Sequence, residues 1–142
     1  MPIILEKLTV EDVRHAIEAF WGAFLAKSDQ TLQSFYATGS IVFQVSLARS
    51  EPGRLGAMRR AREYFGADSR LEVKLSPIEV ILLGKDSGLA MYMFQFHCTG
   101  RDLGGGKRVE EKLEAVRATQ VLQRDDTGQL RIVHEHFSIP VA

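Results

Sequence analysis

R-I-V-H-E-H-F-S, residues 131–138, is the stretch on which the reading of the whole chain turns. Its apolar and polar side chains alternate, the pattern of a β-strand rather than a helix. Alternation places His134, His136 and Ser138 on one face and Val133, Glu135 and Phe137 on the other. Both faces therefore carry polar groups. Just upstream, residues 125–129 contain Gly128 and read as a hairpin loop, preceded by a long strand predicted over 109–124. If Arg124 faces Arg131 across that hairpin, Val121 lies opposite His134, Thr119 opposite His136 and Arg117 opposite Ser138. Gln120 then sits beside Glu135.

Working outward, everything after residue 70 reads as strand. Leu71, Val73 and Leu75 alternate, and beyond Pro77 the apolar register passes to Ile78, Val80 and Leu82, which predicts a bulge or bend at the proline. Residues 85–88 form a turn, 89–99 a strand and 100–106 a glycine-rich loop. In the strand over 109–124, Leu113 and Ala115 share one parity while Val116, Ala118 and Leu122 share the other, so a second bulge is expected. The first part of the chain is helical instead. Thr9 caps a helix over 10–27, with Glu11 and Asp12 at its positive end and Val13, Ile17, Phe20, Trp21, Phe24 and Leu25 at helical spacing. Asp29 caps a short helical turn carrying Leu32, Phe35 and Tyr36, which Thr38-Gly39-Ser40 breaks. Residues 41–47 suit a strand, 50–53 a loop, and Leu55, Met58, Arg62 and Phe65 a third helix that Gly66 ends.

Helices first and a bent antiparallel meander last define an α+β domain in which three N-terminal helices cover the apolar face of a curved sheet, making a cone. At 142 residues, 45% hydrophobic and 25% charged, the chain suits one domain over residues 1–142. Eighteen acidic residues balance eighteen basic ones, so no net field draws it to nucleic acid or to an anionic membrane. The single cysteine, Cys98, forms no internal disulfide, residues 1–5 meet Glu6 and Lys7 too early for a leader, and no apolar run nears the roughly 20 residues of a membrane span. A cytoplasmic setting is expected. Phe20, Trp21, Phe24, Tyr36, Tyr64, Tyr92, Phe94 and Phe96 either leave a pocket between helices and sheet or fill the core completely.

This order of elements, with R-A-T-Q-V-L-Q-R (117–124), a turn and R-I-V-H-E-H-F-S, resembles the nuclear transport factor 2-like superfamily. Within it the chain is similar to SnoaL-like proteins, and especially to the group related to the association domain of calcium/calmodulin-dependent kinase II. The resemblance implies a single SnoaL-like domain of cystatin-like, cone-shaped fold that forms a homodimer or higher homo-oligomer through its outer sheet face, without a cofactor. It implies a small-molecule pocket inside the cone, used by ketosteroid isomerase-like relatives to bind or transform their ligands. It also allows the opposite class, an association module whose product is oligomerisation. The sequence departs from the pattern at Leu130, where a tryptophan normally starts the last strand, and at Phe94, Gln120 and Phe137, which match pocket arginines of the association domain. A more apolar cavity remains.

If Phe137 lies in the cone, so does Glu135, and both histidines face outward. A carboxylate in an aromatic cavity has a raised pKa, the condition for a general acid or base near neutral pH. Glu135 is thus the candidate catalytic residue, with Tyr92, or else Tyr36 or Tyr64, as donor to a substrate oxygen. Trp21, Tyr36, Tyr64, Phe94, Phe96, Gln120 and Phe137 are the candidate ligand contacts. The ordinary alternative pairs Glu135 with Arg59, Arg62 or Arg124, or leaves it in solvent. On the outer face, Arg117, Thr119, His134, His136 and Ser138 are the candidate interface. His134 and His136 with His97 two strands away invite a metal, but strand geometry separates them by about 7 to 10 Å, and no metal site is assigned. Gly104-Gly105-Gly106-Lys107 lacks the strand-loop-helix setting of a phosphate cradle and reads as a hairpin loop. Glu51, Glu63 and Asp68 offset Arg54, Arg59, Arg60 and Arg62 as a solvated face, and Cys98 is read as inert.

Overall fold

A computed structural model describes residues 6–44 and 51–140 of the chain. Residues 1–5, the end of the predicted strand over 41–47 and Ser50 of the predicted loop lie outside the described residues. Helix α1 spans Val10–Leu25 and opens on a reciprocal cap: Asp12 N–H donates to Thr9 Oγ1 at 3.1 Å and Thr9 N–H to Asp12 Oδ2 at 2.9 Å. Its buried stripe is Val13, Ile17, Phe20, Trp21, Ala23 and Phe24. Helix α2, Asp29–Ser34, starts one residue earlier than predicted, with Ser28 at the cap. Asp29 does not cap it, because its carboxylate is held at 2.6 Å by Arg62 of α3, Gly53–Arg62. Helix α3 stops short of Tyr64 and Phe65, which follow in a turn.

Strand β1, Tyr36–Phe43, begins where the sequence read helix, and Thr38-Gly39-Ser40 lies within it. Tertiary pairing overrides the local pattern. Ile132 N–H donates to Phe35 O at 2.6 Å, and β1 runs parallel to β7, Leu130–Ser138, with the ladder interrupted between Tyr36 and Ile41. The breaker residues thus break the ladder rather than the strand. Glu51–Pro52, predicted as loop, forms the short β2 on the outer edge of β1.

The sheet order is β2-β1-β7-β6-β5-β3, with β1 and β7 the parallel pair. Strands β3 (Arg70–Leu75) and β4 (Glu79–Leu82) lie end to end along β5 (Ser87–Asp102), so the bend at Pro77 is present. Strand β5 continues past the predicted loop start, and the turn to β6 (Arg108–Arg124) is confined to the segment between them. Against β5, the steps Phe94 to Phe96 and Val116 to Leu113 leave an extra residue on β6, where the parity change predicted a bulge. A further bulge was not foreseen. Gln123, and not Arg124, faces Arg131, whereas Val121 faces His134 and Gln120 faces Glu135. Val133 takes up the extra position, so Ile132 joins Glu135 and Phe137 on the buried face.

The helices cover the concave face of this sheet, and no helix among the described residues is long and apolar enough to cross a membrane. Helix and sheet are in close contact at Gly88, where an added Cβ would meet Val13 Cγ2 at 2.7 Å. Gly88→Ala is therefore expected to cost about 1–3 kcal/mol by overpacking, and Val13→Ala in the same chain to recover part of it. Denaturant unfolding of the two single variants and the double checks this; additive losses would contradict the contact.

Candidate active site

Glu135 sits on β7 between Val42 of β1 and Gln120 of β6, and its side chain is completely buried. Its partners among the described residues are neutral. Tyr36 Oη lies 2.9 Å from both carboxylate oxygens, Gln120 Nε2 donates to Oε1 at 2.7 Å, and Gln44 Nε2 donates to Oε2 at 3.0 Å. None of Arg59, Arg62 and Arg124 is among them, which overturns the ordinary alternative; Arg62 holds Asp29 and Arg124 holds Asp86.

Trp21 fixes the sense of this network. An indole N–H can only donate, and it donates to Tyr92 Oη at 2.8 Å. Tyr92 must then pass its own proton on, to Gln120 Oε1 at 2.5 Å, which turns the Gln120 amide nitrogen toward Glu135. Tyr92 therefore reaches the carboxylate only through Gln120, and Tyr36 is the tyrosine that touches it. Burial pushes the Glu135 carboxyl above the ordinary value of 4.5, against the opposing pull of its bonds to Gln44, Gln120 and Tyr36. Burial, reinforced by the charge of Glu135, raises Tyr36 well above the usual phenol range, and burial does the same for Tyr92. Both stay protonated donors.

Above the network lies an aromatic cavity in which the centre of a water-sized sphere can explore about 90 Å³. Trp21, Tyr36, Tyr64, Phe94, Phe96 and Phe137 line it, as does Gln44. Of the residues singled out in the sequence as ligand contacts, Gln120 is not on the wall; Glu135 and Tyr92 are also behind it. Gln44 was missed although it shares the parity of the buried Val42, the one signal that pointed to it. Tyr64 stands apart from Glu135. It donates to Glu111 at 2.8 Å, its pKa raised by burial and by that bond, with the guanidinium groups of Arg60 and Arg101 5.4 and 4.9 Å from its ring centre.

Arg117, Thr119, His134, His136 and Ser138 all face away from the cavity, as their parity requires. His134 Nδ1 lies 2.9 Å from Ile41 O, and His136 packs against Phe43. His97 is turned to Glu110 at 2.8 Å, and no group of three metal-ligating side chains gathers among the described residues. Arg60 pairs with Glu63, but Asp68 pairs with Arg108 rather than with the α3 arginines. Cys98 is buried and its thiol is pushed up by that burial, consistent with low reactivity.

The fold is shared with solved structures across nearly the whole chain. An NTF2-like family protein from Streptomyces avermitilis superposes with a TM-score of 0.75 at 20% identity, over 94% of this chain and 97% of that one. The fold is the cystatin-like fold of the nuclear transport factor 2-like proteins. The ketosteroid isomerase-like protein of Erwinia carotovora atroseptica aligns with TM-score 0.70 and 12% identity over 94% of this chain and 97% of its own. The association domain of CaMKII from C. elegans aligns with TM-score 0.67 and 17% identity over 90% and 93%. No family model matches the chain, and no curated protein matches it by sequence. At these identities an NTF2-like likeness establishes the fold alone, and chemistry has to be argued from the site.

Because the folded-state pKa of Glu135 lies above its unfolded value, the folded protein holds that proton more tightly and loses stability as pH rises from about 4.5 through the folded pKa. Glu135→Gln removes the term. Its melting temperature is expected to exceed that of the parent at pH 8 and to match it near pH 4; a difference independent of pH, by scanning calorimetry, would contradict a raised Glu135.

Proposed function

We propose that the protein binds a small, largely apolar molecule in the aromatic cavity and acts on it as a cofactor-free isomerase or related acid/base enzyme. The observation that carries this reading is a completely buried carboxylate with no cation bonded to it among the described residues, reached from the cavity through one hydroxyl, that of Tyr36. Tyr36 moves a proton between ligand and Glu135 by exchange: it accepts one at Oη while its own passes to the carboxylate, and the reverse step returns a proton to another ligand atom. Each carboxylate oxygen accepts one amide N–H, Oε1 from Gln120 and Oε2 from Gln44, and Tyr36 Oη is equidistant from the two. Tyr92 and Trp21 position that amide. Trp21, Phe94 and Phe137 give the ligand an apolar wall and exclude water, which keeps the carboxylate basic.

Two substrate types separate the outcomes, a cyclic β,γ-unsaturated ketone and a cyclic β-hydroxy ketone, because both yield a conjugated enone visible by ultraviolet absorbance. One of them is expected to be converted, with Glu135→Gln and Tyr36→Phe each lowering the rate by about 10²–10⁴. Conversion unaffected by Glu135→Gln would remove the carboxylate from the mechanism, and no conversion of either would count against the enzyme reading.

A second reading, homo-oligomerisation through the outer sheet face, rests on a separate observation. Register aligns Ile41, His134, Val121, Leu89 and Ile81 in one row across five strands, with Ile41 and Ile81 each 51% exposed at its ends. Phe43, His136, Thr119 and Met91 form the next row. Glu79 ends the second row opposite Met91, Arg117 and Arg131 lie in the rows to either side, and the chain as a whole carries no net charge, so a second copy of the same chain meets no net repulsion. The two readings are compatible, and a reducing, cytoplasmic setting suits both. His136→Ala is expected to loosen the assembly and Ile41→Asp to dissociate it; unchanged sedimentation profiles for both would exclude this face.

A further inference from the structure

Gln44 carries information about the ligand that the acid/base reading does not use. Its nitrogen is bonded away from the cavity to Glu135, and its oxygen is buried without a hydrogen-bond partner among the described residues. Rotating the amide would set a carbonyl against the carboxylate, so the ionised Glu135 holds the oxygen where it is. A buried acceptor left unpaired is destabilising, and Gln44 belongs to the cavity wall. Tyr36, also on the wall, has its proton committed to Glu135 and offers the cavity only its oxygen lone pair. Elsewhere on the wall Tyr64 donates to Glu111 Oε2, and Arg60 Nη2 lies 3.7 Å from Glu111 Oε1. Beside Glu135 the cavity presents two acceptors, Gln44 Oε1 and Tyr36 Oη, in a wall that is otherwise apolar except at Arg60, Tyr64 and Glu111.

We propose that the cavity selects an apolar ring molecule bearing a hydroxyl group, which donates to Gln44 Oε1 or Tyr36 Oη while the ring packs against Trp21, Phe94 and Phe137. The proposal rests on the acid/base cavity reading and narrows it, making Gln44 a specificity-determining residue and favouring hydroxylated substrates over simple ketones or ethers. An alcohol supplies the missing donor. An ether of the same ring leaves the Gln44 oxygen as unpaired as before.

The test is calorimetric titration with 2-indanol and 2-methoxyindane, which share the ring and differ by the donor. The parent protein is expected to bind 2-indanol roughly tenfold more tightly, as one or two neutral hydrogen bonds allow. Gln44→Leu and Tyr36→Phe should each shrink that preference toward unity, with the loss falling on the alcohol. Equal affinity of the parent protein for both compounds would overturn the proposal while leaving the cavity reading intact. Binding of neither would overturn both. A preference for the alcohol that persists in both variants would show that other atoms read the hydroxyl and would overturn the assignment.

Discussion

A carboxylate withdrawn completely from water has to be matched by what surrounds it, and among the described residues the partners of Glu135 are three neutral donors rather than a cation. That condition orders much of the interior. It requires the Gln120 amide nitrogen to point at Glu135, which requires Tyr92 to donate to the Gln120 oxygen, which the donor-only indole of Trp21 enforces. The chain of bonds crosses from α1 through β5 and β6 to β7, so the polar cluster also fixes how the first helix sits on the sheet. Networks of this kind specify one arrangement because each half-satisfied alternative is costly. Tyr36 is drawn into the same cluster from the far side, by the parallel pairing of β1 with β7.

Strand β7 serves two surfaces at once. Between Glu135 and Ser138 simple alternation sends Glu135 and Phe137 inward and His136 and Ser138 outward, so a cavity and an outer face share one backbone. The bulge at Val133 joins this segment to one of opposite parity in which Ile132 is buried. Without it, either Ile132 or Glu135 would turn to the outer face. The acid of the interior and the candidate association surface are in this sense products of the same local irregularity.

Much of this was legible in the sequence. Alternation in residues 131–138, the parity change within 109–124 and the proline at 77 gave the meander, its bend and one bulge, and the pairing of Gln120 with Glu135 came from counting back across the hairpin. What escaped was set by tertiary contact. Tyr36 read as helical because its neighbours are, and only the ladder to Ile132 makes it the first residue of a strand. That shift is why Tyr92 looked like the better partner for Glu135, whereas Tyr36 makes the direct bond. The bulge at Val133 left no trace in composition, since Ile132 and Val133 are equally apolar. Asp29, an apparent cap, was claimed by an arginine 33 residues away.

The balance at Glu135 is between desolvation, which favours the neutral acid, and three hydrogen bonds, which favour the anion. Which prevails decides whether this is a base poised for proton transfer or an inert structural anion. The carbon-13 shift of the Glu135 side-chain carboxyl, followed by NMR against pH and assigned by its absence in Glu135→Gln, measures that directly. A midpoint above the ordinary 4.5 is expected. A midpoint at or below 4.5 would mean that the hydrogen bonds prevail, and the acid/base role of the pair Tyr36 and Glu135 would have to be abandoned.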